Sequence, residues 1–226
     1  MIDSEADSFI DISAPLTNGL PRWPGSPGIA RHVHLDISKG DEVNSSSIHI
    51  DAHAGTHIDA PAHHLARGST AETIRLESMI GPAVVLDLTG ESVITRKTLE
   101  RLRMPPRSRI LVRTDNSVNE WHRSAEFSSG FVGLDLSAAA YLAELGTTLI
   151  GCDYLSVQSL TATNDVHRVL LERGTTVLEG LNLRDVEPGA YWLVCLPLAV
   201  VGFEAAPARA ILMKHNPGTS YDQGQG

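Results

Sequence analysis

Cysteine is scarce in this chain, and its scarcity narrows the class of protein. Two residues, Cys152 and Cys195, stand among 226. Each lies in an apolar, strand-like run, which suits reduced core thiols better than a disulfide framework, and a cytoplasmic protein is expected. Clustered basic charge is missing too. Eighteen Lys and Arg against 27 Asp and Glu leave a net charge of −9, which argues against nucleic acid or an anionic membrane as partner and leaves a small molecule. The longest apolar run, Leu193 to Phe203, covers about half a membrane span and contains Pro197. The acidic N-terminus lacks the basic and apolar regions of a signal peptide. No linker or low-complexity tract divides the chain, and a hydrophobic content of 42% suffices for one well-cored domain over residues 1–226. From about 215 onward the residues are polar and glycine-rich, and a frayed tail is expected.

Histidine is abundant and unevenly placed: five of the ten lie between His49 and His64, in HIDAHAGTHIDAPAHH. His49, Asp51, His53, His57, Asp59 and His63 take odd positions, and small or apolar residues such as Ile50, Ala52, Ile58 and Ala60 take even ones. That is the period of a strand with one ligand-rich face. Gly55, Pro61 and the β-branched Thr56 and Ile58 disfavour a helix. Fully extended, His53 to His63 would span roughly 33 Å, so convergence on one ion requires bends, expected at Gly55 and Pro61. Imidazole nitrogens with a carboxylate oxygen are the usual ligands of catalytic zinc and also suit manganese or iron. Burying so many polar groups without a cation would cost several kcal/mol.

The run His53-Ala-Gly-Thr-His57-Ile-Asp59-Ala-Pro61-Ala-His63 resembles the His-x-Gly-Thr-His-x-Asp-x-Pro-x-His signature of a metal-dependent cyclase superfamily that includes bacterial kynurenine formamidase (arylformamidase) and isatin hydrolase. The resemblance implies that His53, His57 and Asp59 hold a first metal, with Asp59 bridging to a second held by His167 and Glu179. His167 and Glu179 stand twelve residues apart in a pattern similar to the family's remaining ligands. Two carboxylate charges neutralise one divalent ion, so one Zn2+ or two, or Mn2+ instead, are compatible. His63 is implied as the proton carrier. Pro21-Arg-Trp23-Pro24-Gly25-Ser26 resembles a segment that lies over the family's active site, where the tryptophan touches an aromatic substrate; packing under its own proline loop is the alternative for Trp23. Asp153, in a segment resembling another family element, is expected either to orient a ligand histidine or to cap a strand end. The chain departs from kynurenine formamidases at Ser26, Thr56, Ala62 and His64.

Elsewhere the patterning supports mixed α and β structure. Strands are expected at 9–13, 29–37, 45–53, 83–88, 109–114, 148–153, 175–179 and 191–198. A helix capped by the Ser137 hydroxyl should run to Gly146, and another, capped by Asn164 or Asp165, should end at Gly174. Residues 115–133, with Trp121, His122, Phe127 and Phe131, read as a lid or substrate wall. His32 and His34 read as surface or structural residues, and Arg107 and Arg109 as solvated ones. The resemblance implies an α/β domain of swivelling β/β/α type, a mixed sheet with flanking helices, dimeric or larger. The expected activity is metal-dependent hydrolysis of an amide, formamide or lactam C–N bond in a small aromatic substrate. The alternatives are a metal-dependent cyclase or dehydrating tailoring enzyme, and a non-catalytic metal-binding scaffold.

Overall fold

A computed structural model describes residues 9–102, 104–162 and 165–214; the tail from 215 lies outside the described residues. Its strands are β1 (Phe9–Asp11), β2 (Ile29–Leu35), β3 (Ser45–Ile50), β4 (His57–Asp59), β5 (Ile80–Asp87), β6 (Arg109–Arg113), β7 (Leu149–Cys152), β8 (Thr176–Glu179), β9 (Gly189–Pro197) and β10 (Ala205–Lys214). The α-helices are α1 (Leu76–Met79), α2 (Arg96–Glu100), α3 (Asp115–Val118), α4 (Leu136–Glu144) and α5 (Val166–Glu172).

The expected mixed sheet closes on itself. β5, β6, β7 and β8 are parallel neighbours, β9 lies antiparallel on β5, and β4 lies antiparallel on β8. The long β10 completes the ring, because residues 205–207 pair with β4 and residues 208–214 with β9. Seven strands thus form a closed mixed barrel, and β1 extends it along β10. Alternation along each strand decides what faces where. Ile58, Leu111, Leu149, Leu178, Leu193 and Leu212 fill the interior. Ile110, Val112, Ile150 and Val177 face outward into a second core, shared with Leu99 of α2, Leu142 of α4 and Leu170 of α5. β9 alternates instead of being buried throughout, since Leu193 and Cys195 point inward while Leu196 is exposed. Both cysteines are free and buried.

Among the described residues β2 and β3 pair only with each other, and His32 and His34 are exposed on that hairpin. Two local expectations need correction. α4 is capped by Asp135, whose carboxylate accepts from the Ala138 amide at 2.9 Å; Ser137 lies inside the first turn and donates to Asp135. A carboxylate there also meets the positive end of the helix dipole. Arg109 is half-buried, and its guanidinium donates to the carbonyls of Ser78, Pro82 and Glu77, tying α1 to the barrel. The span 115–133 holds α3 and a 3-10 turn, Trp121–Arg123. It contributes Trp121 and Phe131 to an aromatic cluster with Tyr154. Among the described residues no helix is long and apolar enough to cross a membrane.

Candidate metal centre

Strand parity places the centre. Because Ile58 fills the barrel, its neighbours His57 and Asp59 must point to the other face, and the register sets His57 opposite Glu179. All three are buried, His57 and Asp59 completely. Glu179 emerges toward α5, where Val166, Leu170 and Leu171 anchor the helix in the outer core and direct His167, in its first turn, back over β8. Just before β4 the chain doubles back at Gly55, with φ +64°; just after it, Pro61 opens a 3-10 turn that carries His63. Both expected bends are present. The strand alternation holds over 57–59 but not over the whole motif, since β3 ends at Ile50.

Five side chains converge. His53 Nδ1 lies 3.1 Å and His57 Nε2 3.5 Å from Asp59 Oδ1. His167 Nε2 lies 3.7 Å from Asp59 Oδ2 and 3.0 Å from Glu179 Oε1, and Glu179 Oε2 lies 3.4 Å from His57 Nε2. Two overlapping groups result, His53–His57–Asp59 and Asp59–His167–Glu179, joined at Asp59. The Gly55 carbonyl accepts from His57 Nδ1 at 2.9 Å, which leaves Nε2 to face the carboxylates. Among the described residues His57 Nε2 and both Asp59 oxygens are buried without a hydrogen-bond partner; their approaches to one another are close but off the hydrogen-bond direction. Buried acceptors of this kind cost free energy unless a cation takes their lone pairs, so this donor set fits a divalent metal.

The same crowding moves the proton affinities. Burial alone would lower the His57 pKa, but Glu179 and Asp59 outweigh it and raise it to about 9. His167 is raised for the same reason, burial being overcome chiefly by Glu179. Glu179, despite burial, is held well below the usual carboxylate range by His167 and His57. His63 is lowered, mainly by burial, with Asp59 partly opposing. His64 falls to about 4 through burial and the neighbouring His167 and His63.

A cavity of about 580 Å³ opens beside this cluster, within the range of small-molecule sites. His53, His63, His167 and Glu179 line its floor, and Trp23 and Arg22 belong to its wall. His63 lies 4.2 Å from His53 and 6.1 Å from His167, ring centre to ring centre, while His64 stacks on His167 at 4.4 Å. Trp23 is 45% exposed and meets Phe127 edge-on at 5.0 Å, so it borders the cavity instead of packing under its own loop. The Ser26 hydroxyl donates to Asp51, which also accepts from the His53 amide at 2.9 Å. Asp153 accepts from the Thr114 amide and hydroxyl and the Ser117 amide; it caps α3 and orients no histidine.

An α/β barrel with a histidine and carboxylate cluster able to hold a cation at the floor of a cavity is the class of protein these features define. Comparison with known families gives the particular one: residues 10–159 match the family model described as "Putative cyclase", and the chain belongs to that family. It is 36% identical over 213 residues to Cyclase-like protein 3 of Arabidopsis thaliana, covering 90% of this chain and 79% of that protein. It is 34% identical to the kynurenine formamidase of Sphingopyxis alaskensis, covering 89% and 96%. A structure described as a predicted metal-dependent hydrolase from Bacillus stearothermophilus superposes with a TM-score of 0.80 at 34% identity, covering 92% and 98%.

Two neighbours of the cluster escaped sequence reasoning. Asp51 carried a signal, its place among the odd positions of the motif, but its role as a latch for Ser26 depends on a loop folded over from residue 26. Glu204, 3.6 Å from His53 Nε2, lies far along the chain with no spacing to mark it.

Proposed function

We propose that this protein is a metal-dependent hydrolase that cleaves an amide, formamide or lactam C–N bond of a small aromatic substrate. The observation that carries the reading is the set of buried, unpartnered acceptors on His57 and Asp59, surrounded by His53, His167 and Glu179 at the floor of a cavity bordered by an exposed tryptophan. The kynurenine formamidase relative supports the choice of bond. In this reading His53, His57, Asp59, His167 and Glu179 hold one or two divalent ions, zinc first and manganese second. Bound there, the cation supplies Lewis acidity that polarises a carbonyl and acidifies water. His63, kept mainly neutral by its burial, accepts a proton from the attacking water and returns it to the leaving nitrogen. Trp23, at the cavity wall and held edge-on by Phe127, provides an aromatic surface that stacks an aryl ring. Two reduced, buried thiols suit the cytoplasm, and the free-standing hairpin β2–β3, with exposed Val33, Leu35 and Ile48, supports a homodimer.

Elemental analysis of the purified protein, with a screen of aryl formamides and lactams, tests the reading. Stoichiometric metal and carboxylate release that stops on chelation are expected. Turnover indifferent to chelators would overturn it, and a product that has lost water to ring closure would turn it toward cyclisation.

A further inference from the structure

The first two histidines of the motif, His53 and His57, present different nitrogens to the centre, and something must decide which. For His57 the Gly55 carbonyl accepts a hydrogen bond from Nδ1–H and turns Nε2 toward the carboxylates. His53 is turned the other way: its Nδ1 faces Asp59 Oδ1 at 3.1 Å and its Nε2 faces Glu204 Oε1 at 3.6 Å. A neutral imidazole carries one proton, and here two carboxylates compete for it. If Nδ1 kept the proton, it would point at Asp59 and no lone pair would remain for a cation.

We propose that Glu204 is a positioning residue that accepts a hydrogen bond from Nε2–H of His53, keeps the proton on that nitrogen and thereby directs the Nδ1 lone pair toward Asp59 and the metal. The backbone around Glu204 is built for a fixed role. The turn between β9 and β10 is moored on both sides: the Ala71 amide donates to the Phe203 carbonyl at 2.8 Å, the Ala60 amide to the Glu204 carbonyl at 2.8 Å, and the Gly202 amide to the Glu72 carboxylate at 3.2 Å. Ala60 directly follows Asp59, so one hydrogen bond ties the motif to the residue that orients its first histidine. A movement of roughly half an ångström brings the 3.6 Å pair into hydrogen-bond range. Outer carboxylates that hold a ligand histidine in this way are worth about 10 to 100-fold in metal affinity.

The proposal rests on His53 being a ligand, and the experiment separates the two claims. Zinc affinity is measured by chelator competition for wild type, H53A, E204L and E204Q, and the His53 tautomer is read in the metal-free protein by long-range 15N–1H correlation at alkaline pH. E204L should bind zinc about 10 to 100-fold more weakly at an unchanged metal-free Tm, since the Glu204 side chain is half exposed. E204Q, whose amide oxygen still accepts, should recover most of the affinity. His53 should carry its proton on Nε2 in wild type and on Nδ1 in E204L. Wild-type zinc affinity in E204L, or an Nδ1–H tautomer in wild type, would overturn the positioning role. Wild-type affinity in H53A would instead remove the ligand assignment on which it stands.

Discussion

Replacing Gly180 with alanine tests whether the metal centre depends on close approach of two backbones. Gly180 follows Glu179 directly and has φ +71°. An alanine Cβ there would lie 2.6 Å from the Gly55 carbonyl carbon, with the oxygen closer still, and 3.1 Å from the Thr56 amide. Carbon atoms in contact sit about 3.5–4.0 Å apart, so the segment 55–56 must retreat by about 1 Å. Overpacking of this kind costs about 1–3 kcal/mol and the left-handed backbone about 1–2 kcal/mol more, which in a chain of this size lowers Tm by roughly 5–20 °C. The retreat also pulls the Gly55 carbonyl from His57 Nδ1, so metal affinity should fall by about 10 to 100-fold. Gly174 provides the control: its φ is +76°, but nothing lies within 4 Å of an added Cβ, so G174A carries the backbone cost alone. Calorimetry and chelator competition on both variants decide the matter. If G180A matched G174A in both Tm and affinity, the approach of these backbones would not be what sets the centre.

Other expectations follow from the same geometry. His63→Ala should keep metal and fold but lose about 10² to 10⁴-fold in kcat, whereas His57→Ala should lose the metal as well; metal loss in both would make His63 a ligand. The folded-state pKa of His57, about 9, lies above the ordinary histidine value of 6.5. In metal-free protein its contribution to stability is therefore fully present below pH 6.5 and lost as pH rises through 9. A metal must displace that proton, so affinity should climb with pH up to about 9 and calorimetry at pH 8 in buffers of different ionisation enthalpy should detect proton release; titrations that show none would contradict the arrangement. Trp23→Ala should raise KM for aryl substrates roughly 3 to 10-fold at little cost to kcat, and an unchanged KM would remove Trp23 from the substrate wall.

The motif showed much of the centre in advance because a metal cluster constrains residue type locally. Three imidazoles and a carboxylate within eleven residues, broken by a glycine and a proline, can meet only if the chain bends at those two, and it does. Secondary structure was legible for a similar reason: β6 and β7 are short apolar runs between turn residues, and Gly146 and Gly174 end their helices at positive φ. What the sequence could not contain is the closure of the barrel. β10 joins β4 and β9 through pairings as distant as Pro207 with His57, and no local period reports a partner 150 residues away. Closure turns Ile58 inward and His57 outward, sets Glu179 opposite, and lays the β9–β10 turn beside His53. Hence His167 and Glu179 were placed from family pattern, the choice between two readings of Asp153 was made by its bonds to Thr114 and Ser117, and Glu204 was visible only in three dimensions. A side chain's chemistry is written in its own residue, but the groups that orient it are chosen by packing between segments remote in sequence.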